Sequence, residues 1–317
     1  MEHHQVAIYL AALAAGAVVG SAAPSAGSWL EHLINPVLAA LLYVTFLQVP
    51  IAQLGRSLRA GRFLGAALAV NFVVVPLVVA AMWVFLPADT AIRLGVLLVL
   101  LTPCVDYVIV FSGLAGGANT RLLAATPLLL IAQMALLPVF LLLFLGADLA
   151  EIVEVGPFLR AFVVLIVIPL GLAWLTQAWA ARAETGQRVS AAVSMAMVPL
   201  MAAVLVTVVA SQVPKLDADL GQVVAVVPFY VVFLVVMALA GAAVARLFGL
   251  DIADSRAIVF SGATRNSLVV LPLALSLPDA LAVAAVVVVA QTLVEVIGMV
   301  VYVRLIPRLL PTRPSAC

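Results

Sequence analysis

The stretch LTPCVDYVIVFSGLAGG, residues 101–117, decides how the rest of this chain is read. It places Pro103, Cys104 and Asp106 within four residues and ends on Gly113, Gly116 and Gly117, inside a chain that is 67% hydrophobic and only 9% charged. A soluble domain is about 45–50% apolar and about 25% charged. This much apolar sequence exceeds the need of any water-facing core. A carboxylate within it is costly wherever it lies in a bilayer, about 2.5–3.5 kcal/mol at a helix centre on insertion scales. Such a residue needs a reason.

Working outward from this stretch, apolar runs of about 20 residues, each long enough to cross a bilayer as a helix, recur over the whole length. Ten spans are expected, at 6–23, 33–50, 63–86, 92–114, 121–146, 157–180, 189–211, 222–248, 255–277 and 280–306. The expected fold is therefore all-α and polytopic. The first span has no basic leader in front of it and reads as a retained helix. The net charge of +1 gives no support to a nucleic-acid partner. Cys104 and Cys317 make no disulfide framework, and nothing in the spacing of His3 and His4 defines a metal site. No cofactor is expected.

Arginine sets the orientation. With the N-terminus in the cytoplasm, the inner loops and tail hold Arg56, Arg59, Arg62, Arg121, Arg182, Arg188, Arg246, Arg256, Arg304, Arg308 and Arg313, against Arg93, Arg160 and Lys215 outside. Both termini are then cytoplasmic, in a multi-pass protein of the plasma (inner) membrane. The acidic stretch GADLAEIVEVGP, 146–157, divides the chain into residues 1–147 and 148–317, with five spans in each part. An odd number of spans per half makes the halves inverted repeats, a plan shared by many secondary transporters.

The fourth span of each half is the polar one. Pro103 and the glycines bracket span four; Thr264–Ser267 and Pro272 interrupt span nine. Backbone groups freed at such breaks must be buried in protein or line a wet cavity. Paired breaks in two halves point to a substrate site where the interrupted helices cross. Asp106 and Arg265 lie at the breaks, either as a structural ion pair or as substrate-binding groups. Glu295 lies in the tenth span with Gln291 one turn before it, so the amide can hold the carboxyl. An Asp106 paired with Arg265 would keep its charge, whereas Glu295, with no cation evident beside it, is the expected proton carrier. Cys104 is either a small buried apolar group or a soft ligand. GAVVG, 16–20, reads as a helix-packing motif.

At these residues the chain resembles the arsenite-efflux permeases within the bile acid:sodium symporter superfamily. Cys104 followed by LAGG at 114–117, Asn71 and Pro76 in NFVVVP, and LVEV at 293–296 carry the resemblance. It implies ten helices in two inverted halves, with the fourth and ninth crossing. It also implies a transporter, not an enzyme, with a transient contact between Cys104 and trivalent arsenic. Asn266 keeps one position of that family's Asn-Asn-x-Glu run, while Arg265 and Leu268 stand where it has Asn and Glu. The polar pair of the sodium-coupled branch falls here at Val108 and Ile109, which offer no side-chain oxygen. The site expected from all this is Cys104, Asp106, Arg265 and Asn266 for substrate and Glu295 for protons, supported by Pro103, Asn71 and Gln291. The expected partners are protons, the lipid bilayer and arsenite, or alternatively a small organic anion, to which the fixed charge of Arg265 is suited. The sequence leaves oligomeric state open.

Overall fold

The computed structural model describes residues 2–23, 27–47, 61–104, 107–146, 160, 163–275 and 277–311. Among these the chain is helical throughout, with no strand beyond a single backbone bridge. The helices are α1 Glu2–Ala22, α2 Gly27–Leu47, α3 Gly61–Trp83, α4 Thr90–Leu100, α5 Tyr107–Leu114, α6 Asn119–Leu145, α7 Ile168–Ala180, α8 Glu184–Ser194, α9 Met197–Leu247, α10 Ile252–Ala263, α11 Ser267–Leu275 and α12 Val283–Leu309. Five helical stretches are long and apolar enough to cross a membrane, at 61–83, 119–145, 184–211, 224–247 and 283–309.

The expected fourth and ninth spans are each two half-helices. In the first, α4 and α5 are separated at 101–106; in the second, α10 and α11 are separated at 264–266. Pro103 lies in the first break. Pro272 does not break the second, because α11 runs through its position. In α3 a π turn, Val70–Val74, precedes Pro76, and another, Val163–Val167, precedes Pro169. Each relieves the clash of a proline ring with the preceding turn by widening the helix.

Spans seven and eight differ from expectation. Their helix is continuous from Met197 to Leu247, 51 residues, about 77 Å at the α-helical rise and roughly two and a half times a bilayer core. Between the two apolar stretches, Leu216, Ala218, Leu220 and Gln222 continue a helix, and Pro214 and Gly221, seven residues apart, do not combine into a stop. The boundary at 147/148 and most of the acidic divider fall outside the described residues.

The core forms where backbones come closest. All residues from Asp254 to Ala263 of α10 are buried. In α12, 67% of the apolar window is buried, against 28% in α6, so α12 is central and α6 peripheral. A Cβ at Gly95 would stand 2.7 Å from the Ala284 carbonyl, so α4 lies directly on α12. Gly16, in the GAVVG motif, brings α1 equally close to α9, where a Cβ would meet Val209 at 2.9 Å.

Candidate functional site

The two breaks meet. Pro103 and Arg265 pair as an antiparallel bridge. The Cys104 N–H donates to the Thr264 carbonyl at 3.2 Å, and the Asn266 N–H donates to the Thr102 carbonyl at 2.8 Å. Thr102-Pro103-Cys104 is thus laid against Thr264-Arg265-Asn266 about a local two-fold. Both threonine hydroxyls turn back to the carbonyl four residues earlier, Thr102 to Leu98 at 2.9 Å and Thr264 to Phe260 at 2.8 Å. Backbone groups released by the breaks satisfy one another, as a break buried in an apolar setting requires.

Arg265 is fully buried. Its Nη2 donates to Asn71 Oδ1 at 2.7 Å, to the Ser261 carbonyl at 2.7 Å and to the Gly262 carbonyl at 2.8 Å; Nη1 donates to the Leu100 carbonyl at 3.2 Å. Leu100 ends α4, and Ser261 and Gly262 lie in the last turn of α10. The guanidinium therefore caps the C-termini of two half-helices, where carbonyls lack helical partners and the helix dipole is negative. It also lies over the Phe233 ring, 5.7 Å from the centroid. Its Nε has no hydrogen-bond partner among the described residues. Asn71, in the π turn of α3, positions this cap: its Nδ2 donates to Ser261 Oγ at 2.9 Å and to the Ala67 carbonyl at 3.0 Å.

Glu295 is buried at the same point. Its Oε2 accepts from the Arg265 backbone N–H at 2.8 Å and from Gln291 Nε2, and its Oε1 accepts from the Tyr107 hydroxyl. The Glu295–Gln291 bond has the i,i−4 spacing read in the sequence, and the backbone of the second break joins it. Tyr107 was not foreseen. It opens α5, one residue after Asp106, and its hydroxyl also lies 3.1 Å from the Arg265 carbonyl.

Cys104 is buried, 1% exposed, and close enough to Arg265 to interact with it electrostatically. Asn266 accepts from the Val269 N–H through Oδ1 at 3.3 Å; among the described residues its Nδ2 has no hydrogen-bond partner, and the same holds for Gln291 Oε1. Unpartnered polar atoms of Arg265, Asn266 and Gln291 thus cluster by sequence and contact around one crossing. Asp106 lies outside the described residues. Among the described residues no group of three or more His, Cys, Asp or Glu could hold a metal ion.

Arg256, read from the sequence as a loop cation, is instead buried. Its guanidinium donates to the Ala115 carbonyl at 2.9 Å and to the Leu310 carbonyl at 2.8 and 3.1 Å, tying the end of α5 to the end of α12. The glycines that close the opening stretch make room for it. Gly116 has φ +71°, and a Cβ there would meet Arg256 Nη1 at 2.7 Å. The cluster in LAGG is a turn built around this arginine.

The sodium bile acid symporter family is the family whose sequence model matches, over residues 35–216. No curated protein matches the chain. The match takes in Asn71 and the first break and ends before α10. The second break and α12 are therefore read from geometry alone. Because the match covers more than half of the chain, this multi-pass membrane protein belongs to the sodium bile acid symporter family, whose members are transporters.

Proposed function

We propose that the chain is a proton-coupled secondary transporter that exports trivalent arsenic from the cell, with its transport site at the crossing of the two breaks. The carrying observation is the juxtaposition there of a thiol, Cys104, and a buried carboxyl, Glu295, joined through the backbone of Arg265. Trivalent arsenic is thiophilic, and one sulfur gives a reversible contact where a cage of several would trap the metalloid. The hydroxyls of arsenous acid match the unpartnered donors on Arg265 Nε and Asn266 Nδ2 and the acceptor Gln291 Oε1. In this reading Glu295 carries the coupling proton, and Asn71 and Gln291 hold the site in shape. Pro103 supplies the break, and Asp106 is the counter-charge of Arg265. The proposed plan is two inverted five-span halves, 1–147 and 148–317, with both termini cytoplasmic; it requires spans seven and eight to part near 212–221, where α9 is continuous in the structure. The local two-fold of the crossing supports that symmetry.

Transport into sealed inverted vesicles under an imposed pH gradient tests the proposal. Wild type should accumulate arsenite uphill. Cys104→Ser should lose this, because oxygen is a poor substitute for a soft ligand, and Glu295→Gln should fold yet lose dependence on the gradient. Tags at both termini should be protected in intact cells. Full arsenite export by Cys104→Ser would reduce the thiol to packing.

The family match favours a second reading, in which the cargo is a small organic anion. Uptake of such anions that is indifferent to Cys104→Ser, with no arsenite transport, would select it.

A further inference from the structure

The Tyr107 hydroxyl has one hydrogen, and its contacts include two acceptors, Glu295 Oε1 and the Arg265 carbonyl at 3.1 Å. A phenol donates one bond and can accept others, so one hydrogen cannot serve both oxygens. The conflict vanishes when Glu295 is protonated. We propose that Tyr107 is a two-position partner of Glu295 that keeps the carboxyl hydrogen-bonded in both protonation states and so makes its proton exchange fast. This rests on the reading of Glu295 as proton carrier.

With Glu295 ionised, Tyr107 donates to Oε1 while Gln291 Nε2 and the Arg265 N–H donate to Oε2, so every contact points toward an acceptor-only group. When a proton from the aqueous side binds Oε1, the new O–H donates to the Tyr107 oxygen, and the Tyr107 hydrogen rotates to the Arg265 carbonyl. One O–H bond forms at Glu295, none breaks at Tyr107, and the site's charge rises by one. Without the tyrosine, Oε1 loses the partner it has in the structure, and a buried donor left unmet is costly. The other ionisable groups near Glu295 are fixed or distant in role. The Arg265 guanidinium is directed at helix-end carbonyls and Asn71; Tyr302, on α12 itself, donates to the Leu234 carbonyl; Cys104 lies near Arg265. Asp106 precedes Tyr107 in the chain and lies outside the described residues.

Tyr107→Phe removes the hydroxyl and retains the ring, whose edge contact with Phe111 has centroids 6.1 Å apart. Infrared difference spectra of the purified protein during acid titration read the carboxyl without any substrate. Wild type should show a protonated-carboxyl band that Glu295→Gln lacks. In Tyr107→Phe that band should move to higher wavenumber, because the acid has lost its acceptor. In vesicles, gradient-driven arsenite transport by Tyr107→Phe should fall about tenfold, the cost of about one net hydrogen bond, while arsenite–arsenite exchange, which needs no proton step, stays near wild type. If wild type has no Glu295 band, the carrier reading fails and this inference with it. A band unmoved in Tyr107→Phe sinks the inference alone, and so does an equal loss of driven transport and exchange, which would make Tyr107 a structural residue.

Discussion

Replacing Arg265 by methionine tests how the crossing is held together. The side chain keeps an unbranched apolar stem, stops two atoms short of the Nη nitrogens and loses all four hydrogen bonds, to Leu100, Ser261, Gly262 and Asn71. Bonds from a charged donor contribute about 1.5–3 kcal/mol each. The variant is, however, spared the burial of a cation, which costs several kcal/mol. The net loss should resemble that of breaking a buried charged network, about 3–5 kcal/mol. At roughly 2–4 °C per kcal/mol for a chain of a few hundred residues, the unfolding midpoint in detergent should drop by about 10 °C. Lysine offers three donors from one atom instead of a planar fork. It can serve some of the four acceptors but not both helix ends at once, so Arg265→Lys should fall between wild type and methionine. The assay is thermal unfolding of purified protein, followed by tryptophan fluorescence. If lysine and methionine both unfold within about 2 °C of wild type, the guanidinium does not join the half-helices and the capping argument is wrong.

Further outcomes follow from the same geometry. If Asp106 is the counter-charge of Arg265, Asp106→Asn and Arg265→Gln should each lower the yield of folded protein and the double variant should recover part of it; strictly additive losses would separate the two charges. Asp254, before the membrane-crossing part of α10, has its carboxyl lifted above the ordinary value of 3.8 by burial first and Asp251 second, opposed by Arg121. A carboxyl lifted in the folded state costs stability as pH rises from the unfolded value to the folded one. Asp254→Asn should therefore remove a decline in unfolding midpoint that wild type shows on titrating upward from about pH 4, and a slope shared by both proteins would place its origin elsewhere. Gly95→Ala should cost about 1–3 kcal/mol, because its Cβ would stand 2.7 Å from the Ala284 carbonyl; an unfolding midpoint equal to wild type would show that α4 and α12 can separate freely.

The sequence announced the site through expense. A charge in an apolar run and a proline inside a span are costly enough to stand out, which is why Arg265, Glu295 and Pro103 could be picked without coordinates. What they touch was not legible. Arg265 was expected to face substrate, yet most of its donors serve backbone carbonyls, and carbonyls have no letter in a sequence. Tyr107 and Ser261 carry no charge and break no pattern, so nothing distinguished them from ordinary residues of buried helices. Arg256 was counted as a loop cation because it lies at a span boundary; its burial depends on two helix ends, of α5 and α12, that are far apart in sequence. The continuity of α9 escaped notice for a different reason. Polarity marked 212–221 as a loop, but polarity and helix formation are independent, and Leu, Ala, Asp and Gln can propagate a helix outside the apolar layer.

The crossing is symmetric in its backbone and asymmetric in its side chains, and in the proposed cycle that asymmetry is what a proton acts on. Cys104 and Asn266 occupy equivalent places in the bridge, as do Pro103 and Arg265. Proline has no N–H, so at its position the first break offers no donor to a carboxylate. Arg265 has one, and Glu295 accepts it at 2.8 Å. Among the described residues the backbone bond to Glu295 therefore comes from the second break, while the first half reaches the carboxyl through the Tyr107 side chain. A hydrogen bond to an ionised acceptor is worth about 1.5–3 kcal/mol and one between neutral partners about 0.5–1.5 kcal/mol. Protonating Glu295 thus weakens its hold on the second break by about 1 kcal/mol, with a similar change at Gln291. Two conformations separated by a few kcal/mol exchange populations under a bias of that size. In the proposed cycle, one proton at Glu295 shifts the balance by about fivefold through the backbone of Arg265, and the thiol across the bridge binds or releases its cargo accordingly.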